Sequence, residues 1–259
     1  MTHSTNKWLL FLSVSLMLAC GPQQPTYLSW AKTGGGSENL KYSALQQIDT
    51  TNYAKLSVAW VYHSENNDST KFGPMECNPI IVENIMYGVS PKLKLFAIDA
   101  TTGKALWTFD PADSVANKTW HRSSVNMNRG VAYWANGNDK RIIYTVGPIV
   151  FCVDANTGKL IPSFGTDGGI NLVNGLDRDP SKLFVAPTSP VMVYKNLFFV
   201  SGLVGEETPG HIRAFDVKKA RNNGFFIPFL FRKTRVMKPG MIRQRISVWV
   251  LPTVGLDLV

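Results

Sequence analysis

Few residues in this 259-residue chain have types and spacing able to carry chemistry. Gly34-Gly35-Gly36 offers backbone amides of the kind that cradle phosphate. No Gly-Lys-Ser/Thr follows it, however, and no strand–helix–strand pattern surrounds it. The four histidines, His3, His63, His121 and His211, are too scattered to read as ligands. Cys20, Cys77 and Cys152 make no C-x-x-C-H haem site and no metal-spaced cluster. Nothing in the spacing brings Cys77 to Cys152, so they read as two separate buried thiols. What recurs is an acid, a hydroxyl and a glycine at fixed spacing. Phe96–Trp107 reads F-A-I-D-A-T-T-G-K-A-L-W, and Val153–Phe164 reads V-D-A-N-T-G-K-L-I-P-S-F. Asp and Thr bond turn amides, and Gly takes the positive φ of a tight turn.

The elements around these turns are strands. An apolar strand ends at each Asp, and a second strand delivers Trp107 eight residues after Asp99, positioned to lie flat across a neighbouring repeat. Phe164 stands where a Trp is expected in the second copy. A third copy begins at Ala214-Phe215-Asp216 and then fails. The Asp-to-Asp spacings are 55 and 62 residues. Repeats of that length, built of short strands and turns, indicate propeller blades with insertions.

The rest of the chain supports an all-β reading. Leu56–His63 alternates as a strand, and Pro79–Ser90 is a hairpin turning at Glu83-Asn84. Strands are predicted at Leu93–Asp99, Lys104–Phe109, Gly130–Trp134, Arg141–Gly147, Ile149–Asp154 and His211–Val217, with a second hairpin turning at Lys195-Asn196. Residues 110–128 and 163–187 read as loops.

Composition is globular, with 44% hydrophobic and 17% charged residues. Net charge is +9, but residues 221–259 carry seven Lys/Arg against one acid, Asp257. The body is only mildly basic, which argues against a nucleic-acid partner. Lys7 precedes an apolar run, Trp8–Ala19, too short to span a bilayer comfortably and suited to a signal h-region. Ala19 before Cys20 is similar to a bacterial lipoprotein box. Residues 1–20 are therefore expected to be a lipoprotein signal with Cys20 as the lipidated residue, and 21–27 a tether. The expected location is the periplasmic face of a bacterial membrane.

Six segments together resemble one family: G-G-G-S-E-N-L-K-Y-S-A-L (34–45), C-N-P-I-I-V (77–82), S-P-K-L-K-L-F-A-I-D-A-T-T-G-K (90–104), N-R-G-V-A-Y-W (128–134), T-S-P-V (188–191) and P-G-H-I-R-A-F-D-V (209–217). Over residues 28–219 the chain is similar to the pyrroloquinoline quinone (PQQ)-dependent dehydrogenases, on the glucose-dehydrogenase-like side. The resemblance implies an eight-bladed propeller, of which about three to four blades are present, with PQQ and Ca²⁺ near the axis. It implies a sugar or alcohol substrate and a membrane quinone or cytochrome as electron acceptor. By motif position, Glu76, Arg129 and Thr188 are the implied PQQ contacts, with Lys92 near the quinone. A planar guanidinium suits the quinone's carboxylate oxygens, and Glu206 supplies the hard oxygen that Ca²⁺ takes. Ser123-Ser124 stand where alcohol-oxidising relatives carry adjacent cysteines, which favours the sugar side. The resemblance places the catalytic Asp and a Ca²⁺-ligating Asn later than this chain reaches, so no catalytic residue is assigned. The competing reading is a lipid-anchored propeller scaffold in envelope assembly. Such a scaffold has no reason to hold Glu76, Arg129, Thr188 and Glu206 together.

The third repeat departs at Lys219-Ala220-Arg221. A Thr-Gly-Lys coding sequence that loses one base reads Lys-Ala-Arg. Restoring the frame permits Trp eight residues after Asp216 and a later Gly-Tyr-Glu-Thr-Trp, both resembling what the family carries next. Residues 220–259 are accordingly expected to be out-of-frame sequence without strand–turn order.

Overall fold

The computed structural model describes residues 28–64, 75–113 and 127–226. The signal segment, Cys20, the 21–27 tether, Ser123-Ser124 and the tail from residue 227 lie outside the described residues.

The first sheet is formed by β1 (Ile80–Val82), β2 (Ile85–Val89), β3 (Leu95–Asp99) and β4 (Ala105–Phe109). The second is formed by β5 (Ala132–Asn136), β6 (Asp139–Val146), β7 (Ile149–Asp154) and β8 (Gly169–Asn171). There follow β9 (Val185–Ala186), β10 (Met192–Tyr194), β11 (Leu197–Val200), β12 (Leu203–Val204), β13 (Ile212–Asp216) and β14 (Asn222–Phe226). The third sheet runs β10-β11-β13-β14, and β9 pairs with β12. Each four-stranded sheet is antiparallel and ordered as its strands occur in the chain. These are three propeller blades, as the repeat predicts.

Local chemistry sets the hairpins. Ile80 faces Tyr87 across a turn whose two central residues, Glu83 and Asn84, both have positive φ, +50° and +65°. That turn twists with the strands it joins. The blade turns close on their Asp. Asp99 Oδ1 accepts from the amides of Thr101 and Thr102 at 2.9 and 2.8 Å and from the Thr102 hydroxyl at 3.0 Å. Those bonds hold the Asp99 carboxyl below its usual range, the Thr102 amide acting most strongly. Their contribution to stability is present above the unfolded-state pKa and is lost as pH falls through the folded one. Asp154 repeats the arrangement with Asn156 and Thr157.

Two apolar clusters fill the spaces between blades. One, with Leu95, Ile142, Tyr144, Phe151 and Val153, lies between the first and second sheets. The other, with Trp134, Ile143, Cys152, Phe198 and Phe215, joins the second to the third. Trp107 lies against Gly158 of the next sheet, and its indole N–H donates to Ala155 O at 3.1 Å, confirming the docking role expected of it. Tyr87 OH donates to the same carbonyl at 3.2 Å.

Several expectations require correction. Leu56–His63 makes no ladder among the described residues, because no strand stands beside it. The stretch 163–187 is not all loop: it holds β8 and β9, short strands carrying little alternation. The strands expected at Gly130–Trp134 and Arg141–Gly147 begin two residues later and two earlier, at Ala132 and Asp139. The first residues of the tail are ordered as β14, which pairs with β13 through a register shift at Ala214/Phe215. A free strand edge takes backbone partners whatever their side chains.

The third turn also closes like the others. Asp216 Oδ1 accepts from Lys218 N and Lys219 N at 2.9 and 2.6 Å, and Ala220 N donates to Asp216 O at 2.9 Å. The difference lies in residue type. Ala220 has φ +54° where Gly103 and Gly158 have +71°. A Cβ in that region costs about 1–2 kcal/mol, partly offset by the greater freedom glycine has when unfolded. Ala220→Gly is therefore expected to stabilise the chain by about 0.5–1 kcal/mol, read as a rise in the urea midpoint at unchanged slope. A fall would show that the turn is not a copy of the first two.

Candidate functional site

The implied cofactor residues sit at equivalent places in successive blades. Glu76 is four residues ahead of β1, Arg129 three ahead of β5, and Thr188 four ahead of β10. Each lies on the segment that leads into the innermost strand, so each arrives at the axis end of its sheet. Backbone bonds tie these segments side by side. Asn78 N donates to Arg129 O at 3.1 Å, and Arg129 N donates to Thr188 O at 2.8 Å.

The side chains meet on that frame. Arg129 Nε donates to Glu76 Oε2 at 3.3 Å, and Arg129 Nη1 donates to Thr188 Oγ1 at 3.3 Å. The guanidinium is 49% exposed and the carboxylate 32%, so the pair faces solvent rather than the core. Such a pair contributes about 0–1 kcal/mol to stability, too little to be its reason for existing. The two bonds engage two of the five N–H donors a guanidinium carries. The arrangement is a planar cation steered by a carboxylate and a hydroxyl, suited to a flat ligand with carboxylate or quinone oxygens.

A buried chain stands behind it. Asn128 Oδ1 accepts from Gly130 N at 2.8 Å, Asn128 Nδ2 donates to Thr145 O at 3.0 Å, and Thr145 Oγ1 donates to Pro187 O at 3.0 Å. These bonds fix the backbone on either side of Arg129 and just ahead of Thr188. Asn128 and Thr145 were missed as positioning residues, although the Asn of N-R-G-V was the available signal.

Glu206 is not brought to this cluster by any hydrogen bond or ion pair among the described residues. Lys92 is half-buried in the bend between β2 and β3, and Glu206 is exposed in the turn after β12. Among the described residues no group of three or more His, Cys, Asp or Glu side chains could hold a metal ion. Glu206 belongs to no such group, and Ca²⁺ would draw its other oxygens from carbonyl groups or further carboxylates.

The two described thiols are unpaired, as expected. Cys77 Sγ accepts from Val89 N at 3.2 Å in the first sheet, while Cys152 lies in the core between the second and third. Burial pushes the Cys77 thiol up to about 11 and the Cys152 thiol up to about 12. At pH 8 the thiolate fraction is on the order of 0.1% or less. Iodoacetamide is expected to leave both unmodified in the native chain and to label both in urea, as read by mass spectrometry. Labelling of Cys152 in the native chain would contradict the packing around it.

The chain is similar to known proteins over most of its length. Residues 30–250 match the family described as PQQ glucose/ethanol/alcohol dehydrogenase, β-propeller domain. The dehydrogenase subunit of the quinone alcohol dehydrogenase of Gluconobacter oxydans (strain 621H) is 36% identical over 138 residues, covering 53% of this chain and 17% of that protein. The quinoprotein glucose dehydrogenase of the same organism is 30% identical over 217 residues, covering 73% of this chain and 26% of that protein. The crystal structure of the quinohemoprotein alcohol dehydrogenase from Comamonas testosteroni superposes with a TM-score of 0.61 at 24% identity, over 78% of this chain and 27% of that one. The chain thus spans about a quarter or less of the length of these two curated relatives. With three sheets built on the same turn and a family match over most of the sequence, this chain belongs to the PQQ-dependent dehydrogenase β-propeller family.

Proposed function

We propose that Glu76, Arg129 and Thr188 form part of the cofactor cradle of a PQQ-dependent dehydrogenase that oxidises a sugar or alcohol hydroxyl. The observation that carries this is their convergence from three blades, 53 and 59 residues apart in sequence, onto one half-exposed guanidinium. PQQ, when bound, supplies the acceptor for the substrate's two electrons. Arg129 binds its oxygens, Glu76 sets the plane of the guanidinium, and the Thr188 hydroxyl fixes the guanidinium's edge. The electron acceptor proposed is a membrane quinone or a cytochrome. The proposed setting is the periplasmic face of a bacterial membrane, with Cys20 as the lipid attachment point. The coding frame shift before Arg221 is proposed as the origin of the basic tail.

PQQ titrated into the 259-residue chain is expected to quench tryptophan fluorescence saturably. No sugar-dependent dye reduction is expected from the same preparation with added Ca²⁺, since no residue of this chain is assigned to take the hydroxyl proton. Absence of saturable quenching would remove the cofactor reading. Steady dye reduction would show that the cradle is catalytically complete.

A further inference from the structure

Two arginines are buried among the described residues, Arg141 at 8% exposure and Arg213 at 7%. Arg141 has a counterion: Asp139 accepts from its Nε at 2.7 Å and from its Nη2 at 3.0 Å. Arg213 has no ion pair among the described residues. Its Nη1 donates to Leu172 O and Asn174 O at 2.9 and 3.0 Å, and its Cζ stands 4.9 Å over the Phe215 ring. Those partners engage two of the five N–H donors and one face, and all of them are neutral. A buried charge without an opposite charge is strongly disfavoured. Burial holds the Arg213 guanidinium below its ordinary range, and His211 is held low by burial first and then by the Arg213 charge. Asp177 is the acid whose charge reaches His211, but it is exposed and makes no ion pair with Arg213. Arg213 and His211 line a cavity of about 20 Å³, whose other walls include Leu172, Leu176, Val200 and Val204. That volume admits one particle the size of a water molecule or a small ion.

We propose that the cavity at Arg213 and His211 is a binding site for one small monovalent anion of the halide class. A halide supplies the charge that Arg213 lacks, whereas a water molecule fills the volume and leaves the charge unpaired. Apolar walls strengthen the attraction, because little solvent screens it. The size of the cavity selects a single small ion over a tetrahedral oxyanion. The site lies in the apolar cluster that joins the second sheet to the third, where Leu172, Leu176 and Val200 also belong. Arg213 already holds the carbonyls of Leu172 and Asn174, on the stretch that leaves β8. An anion that neutralises this guanidinium therefore stabilises the join between two blades. The proposal rests on the buried guanidinium and its cavity, and not on the cofactor reading.

The test uses the 259-residue chain with sodium chloride as probe, sodium gluconate holding the ionic strength constant. Chloride NMR linewidth is expected to show excess broadening that saturates, is displaced by bromide and is not displaced by sulfate. Chloride is also expected to raise the urea midpoint saturably over gluconate, as a ligand of the folded state does. Arg213→Met removes the charge and is expected to cut the broadening by about 10-fold or more. Arg213→Lys keeps the charge without the fork and should retain part of it. The displacement series needs no variant, so it decides the matter even where a substitution unfolds the chain. Absence of saturable broadening would make the occupant a water molecule and overturn the proposal. Displacement by sulfate as readily as by bromide would overturn it too, as would broadening that survives in folded Arg213→Met. Broadening lost in Arg129→Ala but kept in Arg213→Met would place the ion at the exposed cluster instead.

Discussion

Arg129→Ala is expected to weaken PQQ binding by about 10- to 100-fold, the loss of a charge-assisted interaction of about 1.5–3 kcal/mol. The guanidinium is the hub of the candidate site: it holds Glu76 and Thr188 at 3.3 Å each. Arg129→Lys keeps the charge but discards the fork, and a single ammonium cannot reproduce two directed bonds and a planar face. It should recover only a small part of the lost affinity. Glu76→Gln keeps an acceptor and removes the countercharge, so its effect should be smaller than that of Arg129→Ala. Thermal stability is expected to change little in all three, because the ion pair is half exposed. Fluorescence titration of the four proteins, with melting curves alongside, makes the check. Unchanged affinity in Arg129→Ala, with the fold intact, would show that the cluster is a surface ion pair and nothing more.

The blade turn was legible because its determinants are local. Asp99, Thr101, Thr102 and Gly103 lie within five residues, and the bonds they make are those their side chains permit in a short turn. Trp107 was legible for the same reason: it stands eight residues after Asp99, just past the turn. Trp60 was not, since its turn partner, Gly103, lies in the following blade rather than in its own segment. Leu56–His63 alternates like a strand, but alternation records only which faces differ, and the ladder needs a neighbour. The site was legible only through motif resemblance. Glu76, Arg129 and Thr188 follow the blade repeat, 53 and 59 residues apart, but they share no residue type; they meet because each precedes an innermost strand, which is a property of the assembled blades. Asn128 and Thr145 stayed hidden because their partners are backbone amides and carbonyls, which sequence does not distinguish. Residues 222–226 went the other way: a strand edge ordered a stretch whose side chains gave no reason for it.

Gly158→Ala is expected to destabilise the chain by about 2–5 kcal/mol, the sum of a left-handed backbone penalty and overpacking. Gly158 has φ +71°, and a Cβ there would stand 2.6 Å from Trp107 Cδ2 and 2.7 Å from Cε3. The ring cannot simply move aside, because its N–H is bonded to Ala155 O at 3.1 Å and its neighbour Phe109 is locked against Phe151. Gly137 separates the two contributions. Its φ is +61°, yet nothing lies within 4 Å of its added Cβ. Gly137→Ala should therefore cost the backbone term alone, about 1–2 kcal/mol. The difference between the two variants in urea unfolding measures how firmly one blade's tryptophan is seated on the next blade's turn. Equal losses would mean that Trp107 rests on Gly158 without load. The same would then hold for the contact of Trp60 on Gly103. A larger loss at Gly158 makes the tryptophan-on-glycine contact the unit that joins blades, and the contact of Trp60 on Gly103 then seats the segment before the first sheet in the same way.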